Sequence, residues 1–240
     1  MKGGIDIRYV ALTQLRIIKN FYKYRELEKM FNIPSALICR YVKGDVVPGA
    51  DRAKEIIDKI SKLNILESLI KKRIKFVDRE YVGLLDIIYD VNLLRMAAME
   101  AYKLYNDSDI DDVLTVSVDG IPLATYIADI LKSKLVIAKP YRDIGVEKYY
   151  EETYFMLSPP KITSIYVPKK MLKKRDKVLI VDDLIRTGRT VKALIKIIDK
   201  ANAKLQGVFT MIAIGNVWEK VLSNYIEKVH PLIKLPKKLM

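Results

Sequence analysis

One cysteine and one histidine in 240 residues set the first limits on this chain. Cys39, standing alone, excludes an internal disulfide framework and any thiolate metal cluster within one chain, in keeping with a reducing compartment. His230, late and isolated between Val229 and Pro231, leaves a Ser-His-Asp constellation or a multi-histidine zinc site without its parts. No metal site is therefore expected from the side chains. No apolar run approaches the roughly 20 residues of a membrane span, and Met1 to Asp6 lacks the apolar core of a secretory signal. These absences lead to an expectation of a cytoplasmic protein with no membrane partner.

What the chain has in abundance is positive charge. The formal net charge is +14, with half the residues hydrophobic and 30% charged, enough apolar material for a sizeable core and no sign of general disorder. Residues 1–75 hold 17 Lys+Arg against 8 Asp+Glu, so most of the excess sits in the first third. Such an excess favours polyanionic partners at physiological salt; it equally fits lysines that merely solubilise the surface.

Periodicity predicts a helix over Arg8 to Lys19, a second over Tyr24 to Phe31, and a third from Pro34 to about Val42, stopped by Lys43 and Gly44. Three short helices with a sharp turn before the third describe a helix-turn-helix. Leu37, Ile38 and Tyr41 would hold the third helix inward, while Ser35, Ala36, Arg40 and Lys43 would face outward as candidate DNA contacts. Such units also serve as dimerisation or packing modules. Asp51 to Leu63 reads as a further amphipathic helix. The expected domains are a helix-turn-helix unit over 1–65, a connector over 66–80 and a ligand-binding domain over 81–240.

From residue 80 the pattern changes. Tyr81 to Tyr105 reads as one long helix, followed by a strand at Val113 to Val118, a turn at Asp119-Gly120, a helix from Pro122 to Leu131 and a strand at Leu135 to Lys139. Alternating strands and helices imply an α/β domain with a parallel sheet covered on both faces. Asp143 to Pro160 has no clear period and is expected to be a flap or hairpin, with a strand at Ile162 to Val167.

The chemistry concentrates after the apolar strand Lys177 to Val181. Asp182 and Asp183 end that strand, Leu184 to Thr190 form a loop, and Val191 to Ala201 form a helix. Carboxylates at a strand's end accept hydrogen bonds from sugar hydroxyls or hold a divalent ion, while loop amides, the Thr187 and Thr190 hydroxyls and the helix dipole grip a phosphate.

Val178 to Thr190 resembles the 5-phosphoribosyl-1-pyrophosphate signature of type I phosphoribosyltransferases. The resemblance implies that Asp182 and Asp183 bind the ribose hydroxyls and that Ile185, Arg186, Thr187, Gly188, Arg189 and Thr190 wrap the 5′-phosphate. Arg186 stands where the family has a small residue, and Arg189 where it has glycine. Ser117 to Ala124, with Asp119 and Gly120, resembles the family's pyrophosphate loop, and Lys139 to Arg142 its basic segment before the flexible hood. Together the likeness spans about residues 80–216.

Gly120 to Ala124, and Arg40 to Gly44 with Pro48, further resemble phosphoribosyltransferase-like transcription regulators, the group that includes the purine operon repressor and archaeal helix-turn-helix proteins. That likeness implies a homodimer whose partners are double-stranded DNA and phosphoribosyl pyrophosphate or a related nucleotide. The expected hood carries Glu147, Glu151 and Glu152 against Lys148, a poor surface to close over pyrophosphate, and Asp119 adds another acid. The expectation is therefore a catalytically silent sensor with no catalytic residue and no required cofactor, Mg2+ entering only with phosphoribosyl pyrophosphate. The alternatives are an active purine or orotate phosphoribosyltransferase with an accessory domain, and a phosphate-binding structural subunit.

Overall fold

The computed structural model describes residues 6–77, 81–157 and 160–236. Met1 to Ile5, on which part of the expectation about a secretory signal rests, lie outside the described residues, as do part of the expected connector and Ser158 and Pro159 of the expected flap. The chain divides into two compact units, Lys2–Arg73 and Ile74–Met240.

The first unit is all-α. α1 (Ile7–Lys19) starts where the Asp6 carboxylate accepts a hydrogen bond from the Arg8 amide at 2.9 Å, and it buries Leu15, Ile17 and Ile18. α2 (Tyr24–Phe31) is closed at its start by Glu26, which accepts from the Lys23 amide at 2.6 Å, and ends at Asn32 in left-handed conformation. Pro34 then leads into α3 (Ser35–Lys43), which Gly44 ends at φ +88°. Such a φ favours glycine. Ile38 and Tyr41 are buried, Leu37 and Ser35 half-buried, and Ala36, Arg40 and Lys43 exposed. α4 (Ala50–Lys62) follows, and α5 (Ile65–Lys71) occupies the start of the expected connector with Ile65, Leu66, Leu69 and Ile70 buried. Its apolar face makes those residues part of a core rather than a tether.

In the second unit, β1 (Lys75–Val77) and β2 (Tyr81–Gly83) pair antiparallel. The single helix expected over Tyr81 to Tyr105 is instead β2, a short α6 (Leu85–Ile88) and α7 (Val91–Tyr105). Asp90 causes the restart: its carboxylate accepts from the Asn92 and Leu93 amides at 2.8 and 3.2 Å, capping a new helix.

β3 (Asp112–Val116), α8 (Gly120–Leu131) and β4 (Lys134–Ala138) form the first parallel crossover. β5 (Tyr149–Leu157) and β6 (Pro160–Pro168) form an antiparallel hairpin, one of the two forms expected for this stretch. β7 (Lys177–Ile185), α9 (Arg189–Lys200), β8 (Lys204–Ile214), the short α10 (Val217–Val221) and β9 (Val229–Leu235) complete the unit. The five-stranded sheet has the order β4-β3-β7-β8-β9, and every pair is parallel.

β7 lies at the centre, with Val178 to Val181 fully buried, as a strand covered on both faces must be. Val178 and Ile180 pack in one cluster with Val191, Leu194, Ile195 and Ile198 of α9, each large side chain contributing roughly 1.5–3 kcal/mol by burial. α7 and α8 pack on each other, and α8 on β3 and β7. No helix among the described residues is long and apolar enough to cross a membrane.

Candidate active site

The carboxyl ends of β3 and β7 carry the site, as open parallel sheets generally do. β7 runs past Val181, where the sequence pattern had it stop, and takes Asp182 and Asp183 into the strand through to Ile185. Asp182 pairs with Thr210 of β8 in the ladder, so its backbone is held by the sheet rather than by a loop. Only Arg186, Thr187 and Gly188 separate strand from helix. Gly188 is the left-handed residue, φ +72°, and Arg189 is already the first residue of α9. The arginine that replaces the family's glycine therefore occupies ordinary helical backbone and does not obstruct the turn.

A side chain at Gly188 would bring its Cβ to 3.0 Å from Leu222 Cγ and 3.3 Å from Trp218 Cβ. Trp218 is buried beneath the loop, and its indole N–H donates to the Gly215 carbonyl at 2.9 Å. No motif in the sequence marks Trp218, which backs the loop at Gly188.

The second loop crosses between β3 and α8, with a cis peptide between Ser117 and Val118. Gly120, expected to make room for an anion, makes room for protein: a Cβ there would lie 2.5 Å from Thr115 Oγ1 and 3.3 Å from Asp182 Oδ1. α8 thus starts directly against the acidic end of β7. Asp119 accepts a long hydrogen bond, 3.4 Å, from the Tyr89 hydroxyl.

Two cavities meet here. One, of about 190 Å3, is lined by Asp182 and by Leu184 to Val191; the other, of about 390 Å3, by Val116 to Gly120, Pro140, Asp182, Asp183 and Leu184. Tyr154, Met156 and Thr190 line both, and Lys161, Thr163 and Ile165 of β6 close the larger. The hairpin is therefore one wall of the cleft. Tyr154 and Met156 were not singled out in the sequence because Tyr149 to Met156 mixes aromatic and acidic residues without a clean alternation.

Electrostatics follow from burial. The Asp182 carboxyl is driven well above its ordinary range by burial and by the neighbouring charges of Asp183 and Asp119. Asp183 is also raised, burial and Asp119 outweighing the hydrogen bonds that favour its anion. Two buried acids side by side repel each other when ionised, and cations or hydroxyl donors entering the cleft relieve that repulsion. Among the described residues no set of three or more His, Cys, Asp or Glu is grouped to hold a metal ion by itself.

Asp119, Gly120, Asp182, Asp183, Ile185, Arg186, Thr187, Gly188, Arg189 and Thr190 all border the cleft. Lys139 and Arg142 do not line it. Lys139 is paired with Asp143 at 2.7 Å, and Arg142 with Glu151 at 2.8 Å while lying over the Tyr166 ring at 5.0 Å. Ser35, Ala36, Arg40 and Lys43 belong to the other unit.

A parallel sheet with an acid pair and a short glycine-containing loop at its carboxyl edge defines an α/β domain with a cleft at its strand ends, and comparison with known proteins gives its family. The chain belongs to the phosphoribosyl transferase domain family, which matches residues 85–229. It is 32% identical over 124 residues to a xanthine phosphoribosyltransferase of Streptococcus uberis, covering 51% of this chain and 64% of the relative. It is also 27% identical over 146 residues to the purine biosynthesis transcriptional repressor of Bacillus subtilis, covering 61% of this chain and 51% of that protein. The chain thus spans less than two thirds of either relative. Among solved structures, the adenine phosphoribosyltransferase of Rhodothermus marinus superimposes with a TM-score of 0.62 at 21% identity, covering 72% of this chain and 98% of that one, a likeness of fold.

The repeated likeness to phosphoribosyltransferases that are enzymes, in sequence and in fold, overturns the expectation of a catalytically silent transcription regulator with double-stranded DNA as partner. The geometry also removes the argument for silence. Glu151 is paired with Arg142, and Glu152 with Lys200 at 2.7 Å and Lys196 at 3.4 Å. Two of the hood's acids are thus held in ion pairs, and the charged residue that β6 turns to the cleft is Lys161.

Proposed function

We propose that this chain is an active phosphoribosyltransferase that joins a purine base to the ribose of phosphoribosyl pyrophosphate. The observation that carries the reading is the convergence of the Asp182–Asp183 pair, the 186–190 loop and the 117–120 loop on one cleft walled by the β5–β6 hairpin.

In this reading the amides of residues 186–190 and the N-terminus of α9 bind the 5′-phosphate, and Asp182 and Asp183 accept hydrogen bonds from the ribose hydroxyls. The 117–120 turn faces the pyrophosphate. A ring nitrogen of the base donates its lone pair to C1 of the ribose while the C1–oxygen bond breaks and its electrons leave on pyrophosphate; the nitrogen's proton passes to solvent. Fixed amides and dipoles aimed at the separating charges lower the barrier. The raised pKa values of the two aspartates fit a site that takes Mg2+ together with the pyrophosphate, the ion supplying charge neutralisation to the leaving group.

A purine rather than orotate is favoured by the name of the xanthine phosphoribosyltransferase relative. Asn32 and Pro34 between α2 and α3 support a helix-turn-helix arrangement in the first unit, proposed here as an accessory packing unit. The division into functional domains near residues 66–80 is likewise proposed.

The test is an assay of the purified protein with phosphoribosyl pyrophosphate, Mg2+ and xanthine, hypoxanthine, guanine or adenine in turn, following nucleoside monophosphate and pyrophosphate. Formation of both in equal amounts, lost in Asp182→Asn/Asp183→Asn, is the expected outcome. Tight binding of phosphoribosyl pyrophosphate with no product from any base would defeat the reading.

A further inference from the structure

The hood of this chain is clasped to the helix that carries the phosphate loop. Along one face of α9, Arg189, Lys196 and Lys200 each reach β5. The Arg189 guanidinium donates from Nη1 to the Phe155 carbonyl at 3.1 Å and lies 5.8 Å from the Phe155 ring centroid. Lys196 and Lys200 hold Glu152 at 3.4 and 2.7 Å, and Lys200 also donates to the Glu151 carbonyl at 2.6 Å. Residues 7 and 11 positions after Arg189 fall on its side of a helix, so three cations of one stripe grip one strand at successive points. The Glu152 side chain is only 11% exposed, so the far end of the clasp is sheltered from the solvent that weakens surface pairs.

Arg189 is the point where this clasp meets the cleft. It directly follows Gly188, so its backbone belongs to the phosphate loop while its side chain belongs to the hairpin. Phe155 stands between Tyr154 and Met156, and neighbours in a strand point to opposite faces. Fixing the carbonyl and ring of Phe155, which itself borders the smaller cavity, therefore also fixes the two β5 side chains that line both cavities. We infer that the Arg189 side chain is a positioning group that locks the β5–β6 hairpin over the cleft, setting Tyr154 and Met156 for the second substrate, while only the backbone of Arg189 faces the phosphate.

This rests on the cleft being the phosphoribosyl site, and the test separates the two. Amide hydrogen exchange is measured over Tyr149 to Met156 in the full-length, ligand-free protein, together with affinity for ribose 5-phosphate and the KM for the base, in Arg189→Met, Arg189→Lys and Lys200→Met. The expected result for Arg189→Met is exchange at least about tenfold faster in β5, unchanged exchange in β8 and a raised KM for the base. Arg189→Lys, which keeps one donor but not the planar fork, recovers part of the protection. Lys200→Met, remote from the cleft, speeds exchange from the Glu151 end.

Unchanged β5 exchange in both Arg189→Met and Lys200→Met overturns the clasp. A tenfold loss of ribose 5-phosphate affinity with β5 still protected overturns it too, and makes Arg189 a phosphate ligand. Faster β5 exchange in a protein whose parent transfers no base leaves the clasp standing and removes the transferase reading instead.

Discussion

Asp182 is held in conflict: the sheet buries it, Asp183 and Asp119 face it, and its ionised form is disfavoured. A carboxyl whose folded pKa is raised costs stability at pH values above that pKa and ceases to do so as pH falls below the unfolded value. Asp182→Asn should therefore raise the melting temperature at pH 7.5, with the gain vanishing near pH 3.5, as thermal unfolding at both pH values will show. The same substitution should weaken ribose 5-phosphate binding about 10- to 100-fold, the worth of a hydrogen bond to a charged group, measurable by calorimetry. Gly188 is constrained differently. Its φ of +72° and the Leu222 contact at 3.0 Å put the cost of Gly188→Ala at about 2 kcal/mol, readable from denaturant unfolding; equal stability would show that the loop relaxes.

Among the elements, α10 decides how firmly the loop at Gly188 sits. Trp218→Phe keeps most of the buried ring but removes the bond to the Gly215 carbonyl, so a loss of about 1 kcal/mol is expected in denaturant unfolding, accompanied by weaker ribose 5-phosphate binding because the ring backs Gly188.

The elements also show what a sequence discloses. The β7 strand, the loop with Gly188 and the α9 helix were legible because an apolar run, an acid pair and an amphipathic period stand next to one another in the chain. The end of β7 was misplaced because Asp182 and Asp183 look like strand breakers, and only the pairing with β8 keeps them in the ladder. α6 and α7 merged into one helix because the cap at Asp90 is a single residue inside an apolar stretch. Glu152 suggested an inactive site because the partners that hold it, Lys196 and Lys200, lie 44 and 48 residues away in sequence. The expectation of DNA binding likewise took charge in the first unit as a sign of function, whereas the family likeness lies in the second.

At the scale of the molecule, the sheet has a stressed edge as well as a working one. At the amino end of β3, opposite the cleft, Asp112 is 1% exposed and pushed up to about 6 by burial and by Asp176, against the pull of Lys134 at 2.9 Å. Its ionisation costs stability above pH 6, and the cost is relieved as pH falls through 6 towards 4. Asp112→Asn should stabilise the protein at pH 7.5 and leave it unchanged near pH 4; a parent and variant differing equally at both values would show that Asp112 stays charged throughout. Every residue bordering the cleft comes from Ile74–Met240.

The absent Cβ of Gly120 has a consequence for anyone who would re-engineer this protein. Thr115, Gly120 and Asp182 come from three separate stretches of chain, yet they occupy one volume that a single methyl group would overfill. Recombining the 117–121 turn with that of a relative transplants half of a fitted joint, and diversifying position 120 alone returns glycine. New specificity in this cleft is reached by changing the three positions as a set.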